Sequence, residues 1–462
     1  MRTNKTFAEL VIGEEASITR VVTPNDLIVF AHASGNLNPK NLPGSAGHDA
    51  APAAPSMWLG SLFSAVLGNI LPGPGTVYLS QTLRFHSRAY VGDALKISVR
   101  VEELRSPETV VLGTRVARGD KLIADGIAEV RAPTTPEAID NVKLPELTVE
   151  HHSRVERLLG ACRTLPPMPT AVVVPEEENA LLGVLAGARE NLIIPILIGN
   201  AAKIRAIAAS HGADLSGATI EDVPSHDAAA ARAVEMVHQG AATAVMKGHL
   251  HTDELLKHVV KSQGGLRTGR RISHVFVMDA PSLQHLVLVT DAAINIAPTL
   301  EEKVDIVQNA IDLALALGIA RPKVGILSAV EVVNPKIPST LDAAILSKMS
   351  ERGQIRGGDV DGPLAMDNAL SLAAAKTKGL TSLVAGRADV LVVPNLEAGN
   401  ILAKELTYAA QAEGAGLVVG AKVPVLLTSR ADDERSRLFS CAVAVLYAHW
   451  QSSGHSAVAP DA

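Results

Sequence analysis

Aromatic side chains are scarce in this sequence, only 3% of 462 residues, although 47% of the chain is hydrophobic. Its cores must therefore be built from Ala, Val, Ile and Leu, and such small residues suit helices packed closely on a sheet. Cysteine is scarcer still. Cys162 and Cys441 are too few for a disulfide framework or a zinc site, and both stand in apolar or helical contexts that point to inert burial. No apolar run approaches the ~20 residues of a membrane span. The opening segment, MRTNKTFAEL, lacks the apolar stretch of a signal peptide, so the expectation is a soluble, cytoplasmic protein. There is no excess of positive charge: 42 basic against 48 acidic residues give a net charge of −6. The basic residues are scattered, which argues against a nucleic-acid footprint. Neither a Walker glycine loop nor a GxGxxG after a first strand is present, so nucleotide hydrolysis and dinucleotide redox chemistry lose weight. A chain of this length suggests two to four domains or lobes.

What is present is clearest between 382 and 433. Val390 to Val393 is short, β-branched and ended by Pro394, which reads as a buried strand. Asn395-Leu396-Glu397-Ala398-Gly399-Asn400 then turns into a helical pattern. Strand, Gly/Asn turn and helix start make an anion pocket from the exposed N–H groups and the helix dipole. A second strand, Val423 to Leu427, ends in Thr428-Ser429-Arg430-Ala431-Asp432-Asp433. Hydroxyls, a guanidinium and carboxylates at a strand's C-terminal end lie where open α/β sheets bind ligands. The bland alternative is a polar loop with Arg430 paired to Asp432 or Asp433.

Strand and helix patterns alternate through 165–462, as βαβ units require. Ala171–Val174, Ile193–Ile198, Ala241–Met246, Val275–Met278 and Val324–Leu327 read as strands; Lys303–Leu317 and Leu341–Met349 read as helices. Lys247-Gly248-His249-Leu250-His251-Thr252 comes off one strand, and cationic, small and hydroxyl groups there can grip an anion. Leu266 to His274 holds the densest basic spot, with Arg267, Arg270 and Arg271. Asp361 to Ala369, which contains Asp367, sits on a strand-to-helix turn.

Gly386-Arg387-Ala388-Asp389, Pro394 to Asn400, Ser429 to Asp432, Thr290 to Pro298 and Asp361 to Ala369 together resemble the phosphate acetyl/butyryltransferase family, across about 165–450. The resemblance implies an α/β domain of two lobes around a central cleft, an architecture shared with isocitrate dehydrogenases. Lobe one would combine 165–285 with 418–462, and lobe two would be 286–417. It implies exchange of an acyl group between phosphate and coenzyme A, with coenzyme A as substrate and no tightly bound cofactor or metal. Lys247, Thr252, Arg267 and Ser273 would line the cleft, and Asn395, Gly399 and Asn400 would form the phosphate turn. Ser429 and Arg430 would act on the thiol and phosphate, with Asp432 or Asp433 as base. Acetate-type members place that base further along, where this chain has Glu434 to Ser436.

The first 132 residues are different. Ile18–Val22 reads as a strand, Thr23-Pro24 starts a helix over Leu27–Ala33, and Ser56 to Ile70 is apolar nearly all round, hence a buried helix. Period-two strands follow at Leu95–Glu102, Val110–Arg118 and Leu122–Val130. One buried helix wrapped by an antiparallel sheet is an α+β hot-dog domain. Ser34 to Pro39, Leu71 to Leu79, Leu83-Arg84-Phe85 and Gly92-Asp93 resemble the MaoC-type (R)-enoyl-CoA hydratases. That family works with an Asp and a His five residues apart, and this chain has Asn36 and Asn41 at those positions. Asparagine takes up no proton at neutral pH, so hydration is expected to be absent or greatly slowed. His32 and His48 have the wrong spacing to substitute. The domain then reads as a dimerisation or CoA-thioester-binding module before a hydratase with relocated groups.

Residues 133–164 read as a linker and lead-in helix, with Val155, Leu158, Leu159 and Cys162 on one side, followed by a stiff proline-rich tether. The expected partners are acyl-CoA, acyl phosphate and phosphate, in a homodimer or higher homo-oligomer. Two other classes compete: a metal- and dinucleotide-dependent decarboxylating dehydrogenase, resting on Asp361 and Asp367, and a non-catalytic CoA-thioester sensor.

Overall fold

The computed structural model of the chain describes residues 2–43, 52–139, 153–283, 285–428 and 433–459. They form two compact units, Met1–Val149 and Glu150–Ala462.

The first unit runs β1 (Arg2–Thr3), β2 (Glu15–Val21), α1 (Pro24–Ser34), α2 (Ser56–Asn69), β3 (Val77–Phe85), β4 (Ala94–Arg105), β5 (Thr109–Arg118), β6 (Lys121–Arg131) and β7 (Ala138–Ile139). Thr23 accepts from Asp26 N and Pro24 fills the first turn, so α1 starts where the sequence predicts. Gly35, at φ 71°, ends it. Five strands pair in the order β2-β4-β5-β6-β3, all antiparallel. Leu95, Ile97, Val99 and Val101 of β4 point one way and are buried together with Leu59, Phe63 and Val66 of α2, while Lys96, Arg100 and Glu102 point to solvent. This is the hot-dog arrangement. The unit does not stop at 132. Phe7 N donates to Pro133 O (2.9 Å) and Asn4 N to Glu137 O (3.1 Å), and β7 pairs with β1. The proline-rich stretch after 132 therefore edges the domain instead of linking it onward.

The second unit opens with α3 (Ser153–Cys162), β8 (Met168–Val173), α4 (Glu178–Arg189), β9 (Ile193–Gly199), α5 (Ala201–Ser210), β10 (Thr219–Asp222), α6 (His226–His238), β11 (Ala244–Lys247) and α7 (Thr252–Val259). It continues with β12 (Ser273–Asp279), β13 (Val287–Thr290), α8 (Leu300–Ala316), β14 (Lys323–Leu327), α9 (Pro338–Glu351), β15 (Asp359–Leu364), α10 (Met366–Leu370) and α11 (Leu372–Thr377). It closes with β16 (Val390–Val392), α12 (Leu396–Tyr408), β17 (Glu413–Val419), β18 (Val425–Leu426) and α13 (Glu434–Ser453). The lead-in helix α3 belongs to this unit, with Val155, Leu158 and Cys162 in its core. The proline-rich tether is shorter than expected, because β8 already begins at Met168.

Among the described residues, eleven strands form one sheet in the order β10-β9-β8-β11-β18-β17-β12-β13-β16-β14-β15. The run from β10 to β18 is parallel and so is the run from β13 to β15; β17 and β12 reverse direction between them. The lobe boundary expected at 417/418 falls inside β17, because that strand pairs on both sides and belongs to the seam. One face of the sheet carries a single core, from Leu158 and Val443 to Ile311 and Leu346. The other carries two: Val173, Val245, Ala233 and Leu255 over one parallel run, and Val289, Leu391, Ala369 and Leu406 over the other. The division between these two cores falls over β17 and β12, where one lobe gives way to the other and Val418 and His274 are both buried.

Candidate active site

The first end of the cleft grows from a switch in chain order. The chain leaves β8 for β9 and β10 on one side and returns to β11 on the other, and such a point opens a crevice at the strands' C-terminal ends. Val174, just past β8, has φ 56°, a strained value for a β-branched residue. The carbonyls of Val173 and Val174 accept from Gly248 N (2.8 Å) and His249 N (2.6 Å). A Cβ on Gly248 would stand 2.3 Å from Val174 O, so only glycine fits. This clamp fixes the turn that carries Lys247. Lys247 is buried, shares the face of Val245, and donates to Gly248 O (3.3 Å) and Leu250 O (3.4 Å). Half-buried Thr252 opens α7.

β18 lies beside β11. Thr428 Oγ1 donates to Lys247 O (3.1 Å) and accepts from Arg437 Nη1 (2.8 Å), so the chain leaves β18 pinned at Lys247. Ser429, Arg430 and Asp432 lie outside the described residues. Asp433 is exposed, and its Oδ1 accepts from Ser436 N (2.8 Å), which makes it the N-cap of α13.

At the cleft's other end stands the basic spot. Arg270 pairs with Asp312. Arg271 pairs with Glu302 (2.9 Å) and donates from Nε to Asn295 Oδ1 (2.7 Å). Arg267 is exposed, and its side chain has no hydrogen bond or ion pair among the described residues. Ser273 departs from expectation. It is fully buried, its Oγ accepts from Asn309 of α8 (3.0 Å), and it faces away from the cleft. The reason is the strand's period of two, which groups Ser273 with Val275 and Val277 on the single-core face.

A loop, Asp291–Ile296, joins this spot to the start of α12. Asp291 accepts from Ala293 N (2.9 Å), Ile294 N (3.0 Å) and Asn295 N (3.2 Å). Burial pushes its carboxyl pKa up, against those hydrogen bonds. Asn395 caps α12 by accepting from Ala398 N (3.0 Å), and Leu396 N donates to Ile296 O (3.0 Å). A Cβ on Gly399 would stand 2.5 Å from Asp291 O, and Asn400 Nδ2 donates to Ala292 O (3.3 Å). The turn therefore seats on the loop, and the Asn395 and Asn400 side chains serve that seat.

The expected residues do not gather at one point. Val245, Val425, Val418 and His274 share a row across the sheet; Lys247 lies two residues beyond it one way and Ser273 one residue the other way. Three residues along the strands and three strands across separate them by roughly 17 Å. Lys247, Thr252 and Thr428 stand at one end; Arg267, Asn395, Gly399 and Asn400 stand at the other. Val174 and Gly248, which the sequence reading passes over as catalytic scaffolding, leave little signal beyond the glycine itself.

Asp361 accepts from Gly362 N (2.8 Å) and from Ser382, and Asp367 pairs with Lys378 (3.1 Å). Neither stands in a metal-type cluster of three His, Cys, Asp or Glu among the described residues. In the first unit, Asn36 Oδ1 accepts from Asn38 N (3.2 Å) and Asn41 Nδ2 donates to Ala53 O (2.7 Å). His32 is exposed, and His48 lies outside the described residues.

Residues 224–445 match the family described as phosphate acetyl/butaryl transferase. The phosphate acetyltransferase of Rhizobium meliloti is 57% identical over 296 residues, 64% of this chain and 94% of that protein. The chain belongs to the phosphate acetyl/butyryltransferase family. A branched-chain phosphotransacylase from Enterococcus faecalis V583 is similar in structure, with 32% identity, TM-score 0.54, and coverage of 61% of this chain and 99% of that one. R-Hydratase PhaJ1 from Pseudomonas aeruginosa is 36% identical over 32% of this chain and 98% of that chain, with a TM-score of 0.31. Family membership makes the second unit a phosphate acyltransferase and sets aside the dehydrogenase reading.

Proposed function

We propose that the second unit catalyses acyl phosphate + CoA ⇌ acyl-CoA + phosphate for short acyl groups, by direct attack in a ternary complex within the cleft. The CoA sulfur loses its proton and bonds to the acyl carbonyl carbon; the resulting oxyanion collapses, and the C–O bond to phosphate breaks. A free thiol has a pKa near ~8.5, so a base beside it raises the thiolate fraction. Asp433 is committed to capping α13, which favours Asp432 as that base. Ser429 donates to the sulfur or the oxyanion, and Arg430 neutralises the phosphate as it leaves. Arg267 is the second cation for an anionic group, because its two arginine neighbours are already paired. Arg267, exposed and without a hydrogen bond or ion pair among the described residues, supports the reading of where substrate charge is met. Coenzyme A and its thioesters are substrates here, and the protein works in the cytoplasm as a homo-oligomer.

For the first unit we read thioester binding or subunit pairing ahead of hydration. Asn36 and Asn41 hold their own loop through hydrogen bonds and supply no acid–base pair. One assay tests both units: thiol release from acetyl-CoA and butyryl-CoA with phosphate, with crotonyl-CoA hydration measured alongside. Phosphate-dependent release without hydration is expected. Hydration without release would reverse the assignment.

A further inference from the structure

A buried guanidinium that the transferase reading leaves unused lies one turn into α13. Arg437 is 1% exposed and is among the largest fully buried side chains described. An arginine keeps its charge in a protein, so a core position costs desolvation that an apolar side chain of the same volume would not. The surroundings are shaped for it. A Cβ on Gly183 of α4 would stand 2.3 Å from Arg437 Cδ, so the glycine makes room for the stem. Four residues along, a Cβ on Gly187 would stand 3.1 Å from the sulfur of Cys441. The two helices thus close on each other along a glycine seam, and the Arg437 stem lies in it.

Long side chains on a helix lean toward its N-terminus, so Arg437 covers the turn before it. Its Nη1 donates to Thr428 Oγ1 (2.8 Å), just beyond β18. That hydroxyl donates onward to the carbonyl of Lys247 (3.1 Å), the last residue of β11. Arginine can only donate, so its bond turns the single Thr428 proton onto the Lys247 carbonyl. Thr428 and Lys247 are both buried. One chain of hydrogen bonds therefore runs from α13 through the end of β18 to the end of β11. These are parallel neighbours, and their C-terminal ends lie where the chain order switches and a crevice opens. Asp433 caps the same helix through Ser436 N (2.8 Å), so Thr428 and Asp433 are both held on the first turn of α13.

We propose that Arg437 is a positioning residue for acyl transfer: acting through Thr428, it fixes the ends of β11 and β18 against each other and so sets where Lys247 meets an anionic group of the substrate. The inference rests on the transferase reading above. Its test is kcat and KM of the full chain for butyryl-CoA with phosphate, with melting temperatures, in Arg437→Met, Thr428→Val, Thr428→Ser and the double variant Arg437→Met/Thr428→Val. Methionine keeps an unbranched stem over Gly183 and removes the donor. Valine keeps the branch of threonine and removes the hydroxyl. Arg437→Met and Thr428→Val are each expected to lower kcat about tenfold or more with KM little changed, because a misplacement of about 1 Å costs up to ~100-fold in rate. The double variant is expected to be no slower than the worse single one, since both break the same chain. Thr428→Ser keeps the hydroxyl and is expected to hold kcat near wild type. A merely structural role would lower the melting temperature and leave kcat per folded molecule unchanged. A kcat within about twofold of wild type in either folded single variant would overturn the inference, as would a double variant slowed by the product of the two. If Arg437→Met fails to fold, the Thr428 pair decides: serine as slow as valine, or valine as fast as wild type, would overturn it. A wild type that releases no thiol would overturn the transferase reading, and this inference with it.

Discussion

The two units treat their candidate polar residues in opposite ways. In the first, Asn36 and Asn41 hold backbone groups of their own loop. In the second, three arginines fall between 267 and 271, two are neutralised by acidic neighbours, and Arg267 is left at the surface of the cleft. A partnered polar group is scaffolding; an exposed cation with no partner among the described residues is available to a ligand. The cores differ in the same sense. The hot-dog helix is sealed under one core, whereas the transferase sheet divides its core into two on one face.

The largest effect that would sharpen the contrast is at Arg430. Arg430→Gln is expected to lower the rate of thiol release by about two orders of magnitude or more, the cost of losing a preorganised charge on the leaving group. Activity near wild type would move the chemistry away from the 429–433 segment. The next effect separates ligand-facing from scaffolding arginines. Arg267→Gln is expected to raise KM for phosphate or CoA about tenfold, the value of one charge-assisted contact, with an unchanged melting temperature. Arg270→Gln should do the reverse: its loss leaves the Asp312 carboxylate, only 13% exposed, with the Gln308 amide (3.0 Å) as partner, and costs about 1 kcal/mol of stability with little change in KM. If both substitutions act on KM alike, the division between them is wrong.

Much of this architecture was readable in advance, and the exceptions have physical causes. Long stretches such as Ser56–Ile70, apolar nearly all round, and Lys303–Leu317, amphipathic, became α2 and α8 because their length and pattern fit a helix and not a strand. The strands β10, β13 and β17 leave little trace in the sequence. They are short, and Glu413–Val419 carries glycines at 414 and 416, which weaken a strand signal while marking a close approach, at Gly416 to Leu427 O. Ser273 is expected at the cleft but lies against α8, because a one-residue shift along a strand reverses direction and nothing local distinguishes the two faces. The gathering of Lys247 and Arg267 into one hole failed for a related reason. Residue types do not reveal that parallel runs on either side of β17 and β12 point in opposite directions.

His274 gives the smallest and most local test of how the two half-cores meet. Its imidazole lies between the two half-cores, 1% exposed, with Nδ1 lacking a hydrogen-bond partner and its pKa lowered by burial from 6.5 to about 3. Below pH 6.5 the unfolded chain binds a proton that the folded chain refuses, so the stability this group contributes is complete above that pH and is lost on acidification. The loss is about 1.4 kcal/mol for each pH unit between 6.5 and 3. Between pH 7.5 and pH 5 the wild type should therefore lose roughly 2 kcal/mol more than His274→Phe, which carries no titrating group at this point. Denaturant midpoints of both proteins at the two pH values measure this as a difference of differences, so a general cost of the substitution cancels. An equal acid loss in both would mean that the ring reaches solvent or a partner, and the packing of His274 against Phe276 would have to be redrawn.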